Sequence, residues 1–417
     1  MQIIYISAMV LALLFFLYRR KVDLFALSFA GIFAASPPYL FGYIFIPPLV
    51  AMPESLIIEV YLVMLLILSS LVCFALVFDR HHKKDSLTHF SKTRQESFGP
   101  FALVLFFFSA ALLALSISFI GIDAISSIRH GAKLTPLESG AISKTILFAT
   151  YSALFSVISK RYILAAASLL ILLILFIISP SRSFLFIVIS SIMMLYLIPN
   201  SKITLMLSLR VFLVAIFIAS FLVIAKVIRH EGLTLLGYFN TVFGGGSDIF
   251  REANYVAANL QQAFKELTPG ELMERHFYYP LMVIPFLYLF LVQILGLSPI
   301  TRFSEILADI HSFHDWGIGS SLWGEFYGAG GWLSIIFFVV LFNLFLYWVN
   351  KMFYQGAVSA VSVAFLVPSV YIAAYSDRLD FMIIMNRFSD AILILIIFVI
   401  YSAITNNFKI RKSKLIV

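Results

Sequence analysis

Arginine is the most telling residue type in this chain, because eight arginines stand in polar breaks between long apolar runs. A guanidinium donates to two phosphate oxygens at once and keeps its charge, so arginine suits phosphate better than lysine does. Arg182 stands out, since it begins an apolar run, lies between two serines and follows Pro180 closely. The eight predict a site for phosphate or diphosphate groups, and they are Arg129, Arg182, Arg229, Arg251, Arg275, Arg302, Arg378 and Arg387.

Glu325 is the side chain best suited to act as a general base. It stands in a segment rich in glycine and aromatic residues, 320–332, just before an apolar run. Glycine lets backbones approach closely, aromatic rings offer faces on which sugars stack, and a partly buried carboxylate can be tuned toward base chemistry. The alternative is a glutamate that pairs with an arginine and secures a helix end.

The segment 309–315 offers a second group that handles protons. Its His311, His314 and Asp315 follow no strong metal-ligand spacing, and no cysteine is nearby. We therefore predict no metal and no other cofactor. His314 is the second candidate base, and a solvated loop is its structural alternative.

The composition is that of a polytopic membrane protein. Of the 417 residues, 62% are hydrophobic and 12% are charged, and the mean hydropathy is +1.01. Globular proteins are about 45–50% apolar and about 25% charged. The net charge of +8 is explained by basic cytoplasmic loops, so it does not predict nucleic-acid binding. The single cysteine, Cys73, excludes a disulfide within one chain.

Apolar runs that approach the length needed to cross a bilayer recur along the chain. They predict an all-α membrane protein with about 11–12 transmembrane helices, each of roughly 20 residues, in one integral membrane domain, 1–417. A polar stretch with little secondary-structure signal, 226–332, precedes the last three runs. The candidate spans are residues 3–18, 22–35, 56–78, 101–120, 142–158, 162–178, 184–198, 205–225, 331–349, 357–375 and 391–404.

Basic residues predict the membrane face of each polar break, because cytoplasmic loops collect lysine and arginine. The basic breaks alternate along the chain and include 19–21, 80–94, 160–161 and 409–414. The carboxyl end is then inside, whereas the 226–332 stretch and the eight arginines face out, into the periplasm. The structural alternative for each arginine is a lipid headgroup, or a pair with Asp377, Asp380 or Asp390.

One apolar run inside the outer stretch, 281–297, has two interpretations. It contains Pro285 and Gln293. A full crossing there would put the basic tail outside, against the charge rule. A re-entrant dip or an in-plane hairpin keeps the tail inside, and we therefore predict that this run does not cross.

The layout resembles that of the Wzy-type O-antigen polymerases, with about a dozen spans and a large outer loop before the last three. Three segments carry the resemblance. Residues 179–184 resemble the family's Ser-Arg-small segment at the start of a span. Residues 320–333 resemble its Glu-aromatic-Tyr segment with following glycines, and residues 378–388 resemble its arginine-containing turn before the final helix.

The resemblance implies glycosyl transfer at the periplasmic face of the bacterial inner membrane. The donor and the acceptor would be undecaprenyl-diphosphate-linked oligosaccharide repeat units, with the diphosphate as leaving group. Fixed cations would stabilise the departing charge; Arg129, Arg182 and Arg378 are the first choices, with Glu325 and then His314 as base. The implied partners are the lipid-linked donor and acceptor, membrane lipids and a chain-length regulator protein, with no nucleic acid.

Two other functions stay open. An O-antigen ligase, which joins a glycan to lipid A, would use the same chemistry. A transporter or flippase of lipid-linked sugars would need two halves that rock about a site near the midplane, often visible as repeats. The chain has no evident internal repeat and gathers its charges at one face, which favours the polymerase.

Overall fold

The described part of the protein is helical, and its long apolar helices are compatible with a polytopic membrane protein. The structure, a computed structural model, describes residues 1–19, 21–44, 54–82, 92–121, 136–178, 183–198, 247–295, 301–310, 321–354, 358–375, 377 and 380–414. Within these ranges, six helices are long and apolar enough to cross a membrane, and four shorter apolar helices accompany them. Together they cover ten of the eleven predicted runs, and the run 205–225 lies outside the described residues.

The helices follow one another with short connections. The first group is α1 (Gln2–Arg19), α2 (Leu24–Ala35), α3 (Pro37–Phe41) and α4 (Ile58–His81), with a two-residue pairing of β1 (Tyr43–Ile44) and β2 (Glu54–Ser55) before α4. The second group is α5 (Lys92–Ile120), α6 (Pro136–Ile158), α7 (Tyr162–Ile178) and α8 (Ser183–Leu197). The third group is α9 (Ser247–Glu266), α10 (Met273–Val283), α11 (Leu287–Leu295), α12 (Phe303–Ile310), α13 (Leu322–Tyr354), α14 (Ala360–Tyr375) and α15 (Phe381–Lys414).

The chain forms two compact units. The first unit comprises Met1–Leu87, Tyr196–Tyr354 and Pro368–Asn386, and the second comprises Thr88–Leu195, Gln355–Val367 and Arg387–Val417. The candidate site described below lies wholly in the first unit.

A buried ion cluster joins the ends of α1 and α4 in the first unit. The Arg19 side chain is 2% exposed and donates to Asp23 at 2.6 Å and to Asp79 at 2.6 Å. Asp23 also caps α2, because its side chain accepts the N–H of Ala26 at 3.0 Å. Lys21 adds a second cation on Asp79 at 2.7 Å. The two predicted basic breaks, 19–21 and 80–94, therefore begin beside each other, as alternation across a membrane requires.

The described part of the 226–332 stretch contains more helix than its sequence suggested. Residues 247–266 form the amphipathic helix α9, which is buried on several faces over residues 256–261 and at Ala263. Gln261 on the same helix accepts the N–H of Ile57 at 3.0 Å and so ties α9 to the start of α4. The prediction of little secondary structure is wrong for this part of the stretch, since the polar face of α9 masks a helical apolar period.

The run 281–297 falls on two short helices. α10 has 11 residues and α11 has 9, which is about 16 and 14 Å at 1.5 Å per residue. Neither helix alone spans a hydrocarbon core of about 30 Å. Phe286 breaks the run with a φ of 67°. These lengths are compatible with the predicted dip or in-plane hairpin.

α13 begins with a separate short helix. Gly330 and Gly331 leave helical geometry, and Gly331 has a φ of 62°, a conformation that favours glycine. Upstream of this kink, the carbonyl of Gly328 accepts the N–H groups of Gly270 and Leu272 at 3.0 and 2.9 Å. A Cβ on Gly328 would come within 2.7 Å of the Leu272 side chain. The predicted close approach at these glycines is confirmed.

The second unit is held by small polar contacts and by ions. Ser152 of α6 donates to the carbonyl of Ala102 at 2.8 Å. Lys144 and Arg387 both bind Asp390, at 2.7 and 3.1 Å. Arg387 therefore makes the structural pair that the sequence had allowed for it.

Candidate functional site

Glu325 is completely buried in the short helix that opens α13. The Tyr279 hydroxyl of α10 donates to Oε1, and the backbone N–H of Phe381, the first residue of α15, donates to Oε2 at 2.7 Å. Three segments that are distant in sequence thus meet at one carboxyl group. The sequence predicted partial burial, and the structure shows a complete enclosure with both oxygens bound.

α10 brings three polar side chains to this carboxyl group. Arg275, His276 and Tyr279 are separated by one and three positions, so they share one side of the helix. The opposite side carries an exposed apolar stripe, Met273, Phe277 and Ile284. The helix can therefore present polar groups to the protein interior and apolar groups to lipid.

His276 is a neutral histidine next to the site. Its Nδ1 lies 3.1 Å from the carbonyl of Leu272, so Nδ1 donates and Nε2 carries the lone pair. Burial lowers the pKa of His276 to about 4; the Leu272 carbonyl opposes this shift, and the charge of Arg275 adds to it. Nε2 is buried and has no hydrogen-bond partner within the described ranges. The His276 ring stacks on Phe381 with centroids 5.6 Å apart.

Arg275 supplies positive charge beside Glu325. One of its nitrogens, Nη2, donates to the carbonyl of Thr301. Its Nε and Nη1 are buried and find no acceptor among the residues that the structure describes. Burial raises the pKa of Tyr279, the negative charge of Glu325 raises it further, and the charge of Arg275 opposes both. Among the predicted arginines whose side chains the structure describes, Arg275 is the one whose charge acts on Glu325.

Two further carboxyl groups are buried close by. Asp377 is 4% exposed and Asp380 is 1% exposed. Trp323, two residues before Glu325, donates its indole N–H to Asp377 Oδ1 at 2.7 Å. Burial raises the pKa of Asp377 to about 6, against the opposing effect of the Trp323 hydrogen bond. Buried carboxyl groups in proximity do not all ionise at once, so this site is suited to holding and moving protons.

The aromatic residues around Glu325 differ in how far their rings are exposed to solvent. Trp323 is 2% exposed and Phe326 is fully buried. The prediction of a sugar-stacking face is therefore wrong for these two, because their rings pack inside the protein. Tyr327 is half-buried and lies against Phe264, with ring centroids 4.2 Å apart.

The other predicted site residues are not brought to Glu325 by the described structure. Arg302 is exposed, and its backbone N–H binds Glu305. Arg251 lies on α9, but its side chain is outside the described part of the chain. The remaining predicted residues also lie outside the described ranges, and they are Arg129, Arg182, Arg229, Arg378 and His314.

Sequence reasoning missed Tyr279 and His276 as parts of the site and treated Asp377 and Asp380 only as arginine partners. A signal existed for the first pair, since Arg275, His276 and Tyr279 share one helical face at the start of a predicted run. The second pair stands in a short turn between apolar helices, where carboxyl groups are costly and so tend to be functional.

Comparison with known proteins gives no relative for this chain. No family model matches it, no curated protein matches it, and no solved structure matches it. Among the described residues, no group of three or more histidine, cysteine, aspartate or glutamate side chains could hold a metal ion. The geometry of the site is therefore the basis for inferring its function.

Proposed function

We propose that this protein is a glycosyltransferase of the bacterial inner membrane that polymerises undecaprenyl-diphosphate-linked oligosaccharide repeat units at the periplasmic face. The product would be O-antigen or a similar surface polysaccharide. The observation that carries the proposal is the Glu325 site: a buried carboxyl group, a tyrosine hydroxyl and a guanidinium with unused donors, enclosed by three segments.

The proposed reaction forms one glycosidic bond and breaks one. A hydroxyl of the new repeat unit attacks the anomeric carbon of the growing chain, and its proton passes to Glu325. The bond between that carbon and the diphosphate breaks, and the diphosphate leaves with the electron pair. Arg275 stabilises the negative charge of the departing diphosphate. Arg129, Arg182 and Arg378, which were chosen from the sequence, are proposed to contact the same group.

The donors around Glu325 fit a base that must be ionised before each transfer. Tyr279 and the Phe381 N–H favour the carboxylate form. When the attacking hydroxyl arrives, it can replace Tyr279 as the donor to Oε1. Unlike a metal-dependent transferase, this arrangement counters the diphosphate charge with arginine.

The test uses purified protein and lipid-linked repeat units in detergent, with no other enzyme. Glu325→Gln keeps the shape of the site, because the amide oxygen can accept from Phe381 and the amide N–H can donate to the Tyr279 oxygen. We expect this variant to bind the substrate and to build no polymer. The matched control is Glu266→Gln, which neutralises an exposed carboxyl group on α9 and should make a normal ladder.

The other possible results of this experiment favour a different function or a different base. Well-folded wild-type protein that makes no ladder argues for the transporter. Transfer to a lipid A acceptor but not to a second repeat unit argues for the ligase. Ladders from both wild type and Glu325→Gln would remove Glu325 as the base and leave His314 as the next residue to test.

A further inference from the structure

Two tyrosine hydroxyls are buried in the first unit without a visible partner. Tyr5 of α1 is 0% exposed and Tyr39 of α3 is 1% exposed. Both hydroxyl oxygens are inaccessible to solvent and make no hydrogen bond to any residue that the structure describes. Buried hydroxyls are nearly always paired with protein or ordered water. A single ordered water molecule would pair both hydroxyls.

The two hydroxyls belong to a cluster that includes Asp377. The rings of Tyr5 and Tyr39 lie 5.7 Å apart at an angle of 62°, and Tyr61 of α4 packs on Tyr5 at 6.1 Å. Burial raises the pKa of Tyr39, and the negative charge of Asp377 raises it further, ahead of the smaller effects of Tyr5 and Tyr61. Trp323 binds only the Oδ1 atom of Asp377.

Asp377 also adjoins the Glu325 site. Trp323 connects Asp377 to the turn of helix that carries Glu325, and Phe381, four residues after Asp377, binds Glu325 through its N–H. Asp380 lies between Asp377 and Phe381 in the sequence. Its negative charge raises the pKa of Tyr279, by less than the charge of Glu325 does. The titratable groups on which the charge of Asp377 acts are Tyr5 and Tyr39, and Tyr61 packs on Tyr5.

We propose that Tyr5, Tyr39 and Asp377 bind an ordered water molecule, and that this buried site accepts the proton that Glu325 removes from the attacking hydroxyl. The second half of this inference rests on the proposed function. The water accepts from or donates to each hydroxyl and donates to the Asp377 carboxylate, so all three protein groups are satisfied. After each transfer, the proton on Glu325 passes by way of bound water to the Asp377 carboxylate, and it leaves to solvent before the next cycle, so that Glu325 is ionised again.

The water site is tested without any substrate. Infrared titration of the purified protein follows the carbonyl band of protonated Asp377, which is identified by its loss in Asp377→Asn. Tyr5→Phe and Tyr39→Phe each remove a group that orients the water toward the carboxylate, so we expect each to raise the midpoint of this titration by about 1 pH unit. Tyr61→Phe is the matched control, since it changes the same ring cluster but not the two unpaired hydroxyls, and it should leave the midpoint unchanged.

A second measurement covers variants that fold poorly. In the wild-type protein, a water O–H band should shift on exchange into ¹⁸O-labelled water and should change when Asp377 is protonated. Absence of such a band, or titration midpoints in Tyr5→Phe and Tyr39→Phe equal to that of wild type, would overturn the water site.

The proton-accepting role is tested by the pH profile of ladder growth. Asp377 accepts a proton only when it is ionised, so the wild-type rate should show a step around the Asp377 pKa of about 6, in addition to the pH dependence that comes from ionising Glu325. Only the Asp377 step should vanish in Asp377→Asn. An unchanged step in that variant contradicts the role. If the wild-type protein gives the expected infrared titration but builds no polymer, the proposed function is refuted and the water site is not.

Discussion

Tyr279→Phe tests the contact that defines the site. The change removes one hydroxyl and leaves the ring, so Oε1 of the fully buried Glu325 loses a donor while the packing is kept. A hydrogen bond to a charged group contributes about 1.5–3 kcal/mol. We therefore expect the free energy of unfolding to fall by about 2 kcal/mol. The fall should be larger at pH 8 than at pH 5, because the hydroxyl binds the ionised carboxylate most strongly.

The assay is reversible unfolding in mixed micelles, with Tyr278→Phe as the matched control. Tyr278 is the half-buried neighbour of Tyr279 on α10, and its loss of a hydroxyl should change the free energy by less than about 0.5 kcal/mol. Equal values for the two variants at both pH values would refute the contact. The placement of α10 against Glu325 would then be wrong, and with it the site.

Three further predictions concern orientation, phosphate binding and pH. In a Cys73→Ser background, a cysteine at Ser247 should react with an impermeant thiol reagent in intact spheroplasts, whereas one at Ser86 should react only after lysis; the reverse pattern contradicts the outward face. Arg182→Lys should reach normal membrane levels but lose most polymer on a gel, because lysine cannot bind two oxygens in a fork; full-length polymer would make Arg182 structural. Because the pKa of His276 is lowered to about 4 in the folded protein, the free energy of unfolding should fall as the pH drops from about 6.5 toward 4, by at most about 3 kcal/mol. A His276→Gln variant should lose this part of the pH dependence of unfolding. An unchanged pH dependence in the variant would place His276 in solvent.

Local sequence patterns predict many of the helices. Long apolar runs predict helices such as α4 and α5 because each residue of a span must be compatible with lipid. The glycine-rich segment before α13 predicts close packing, and Gly328 shows it against Leu272. The start of α2 is equally local, because Asp23 directly precedes the helix that it caps.

The site is less local, and the sequence predicted Glu325 and Arg275 but not the residues that bind Glu325. Glu325 was found because a carboxylate among glycines and aromatics is unusual next to a span. Its donors, Tyr279 and Phe381, are 46 and 56 residues away, and nothing in their spacing shows that α10 and the start of α15 meet. The sequence did not predict Asp377 as part of the site, because a carboxyl group in a polar turn is expected to be solvated until its burial is known.

The most direct test of the account counts leaving groups against bonds. Purified protein is mixed with lipid-linked repeat units, and mass spectrometry measures released undecaprenyl diphosphate together with joined repeat units. The wild-type protein should release one undecaprenyl diphosphate for each new glycosidic bond, and Glu325→Gln should form neither product. Well-folded wild-type protein that binds the lipid-linked units but releases no diphosphate and joins no units would contradict it.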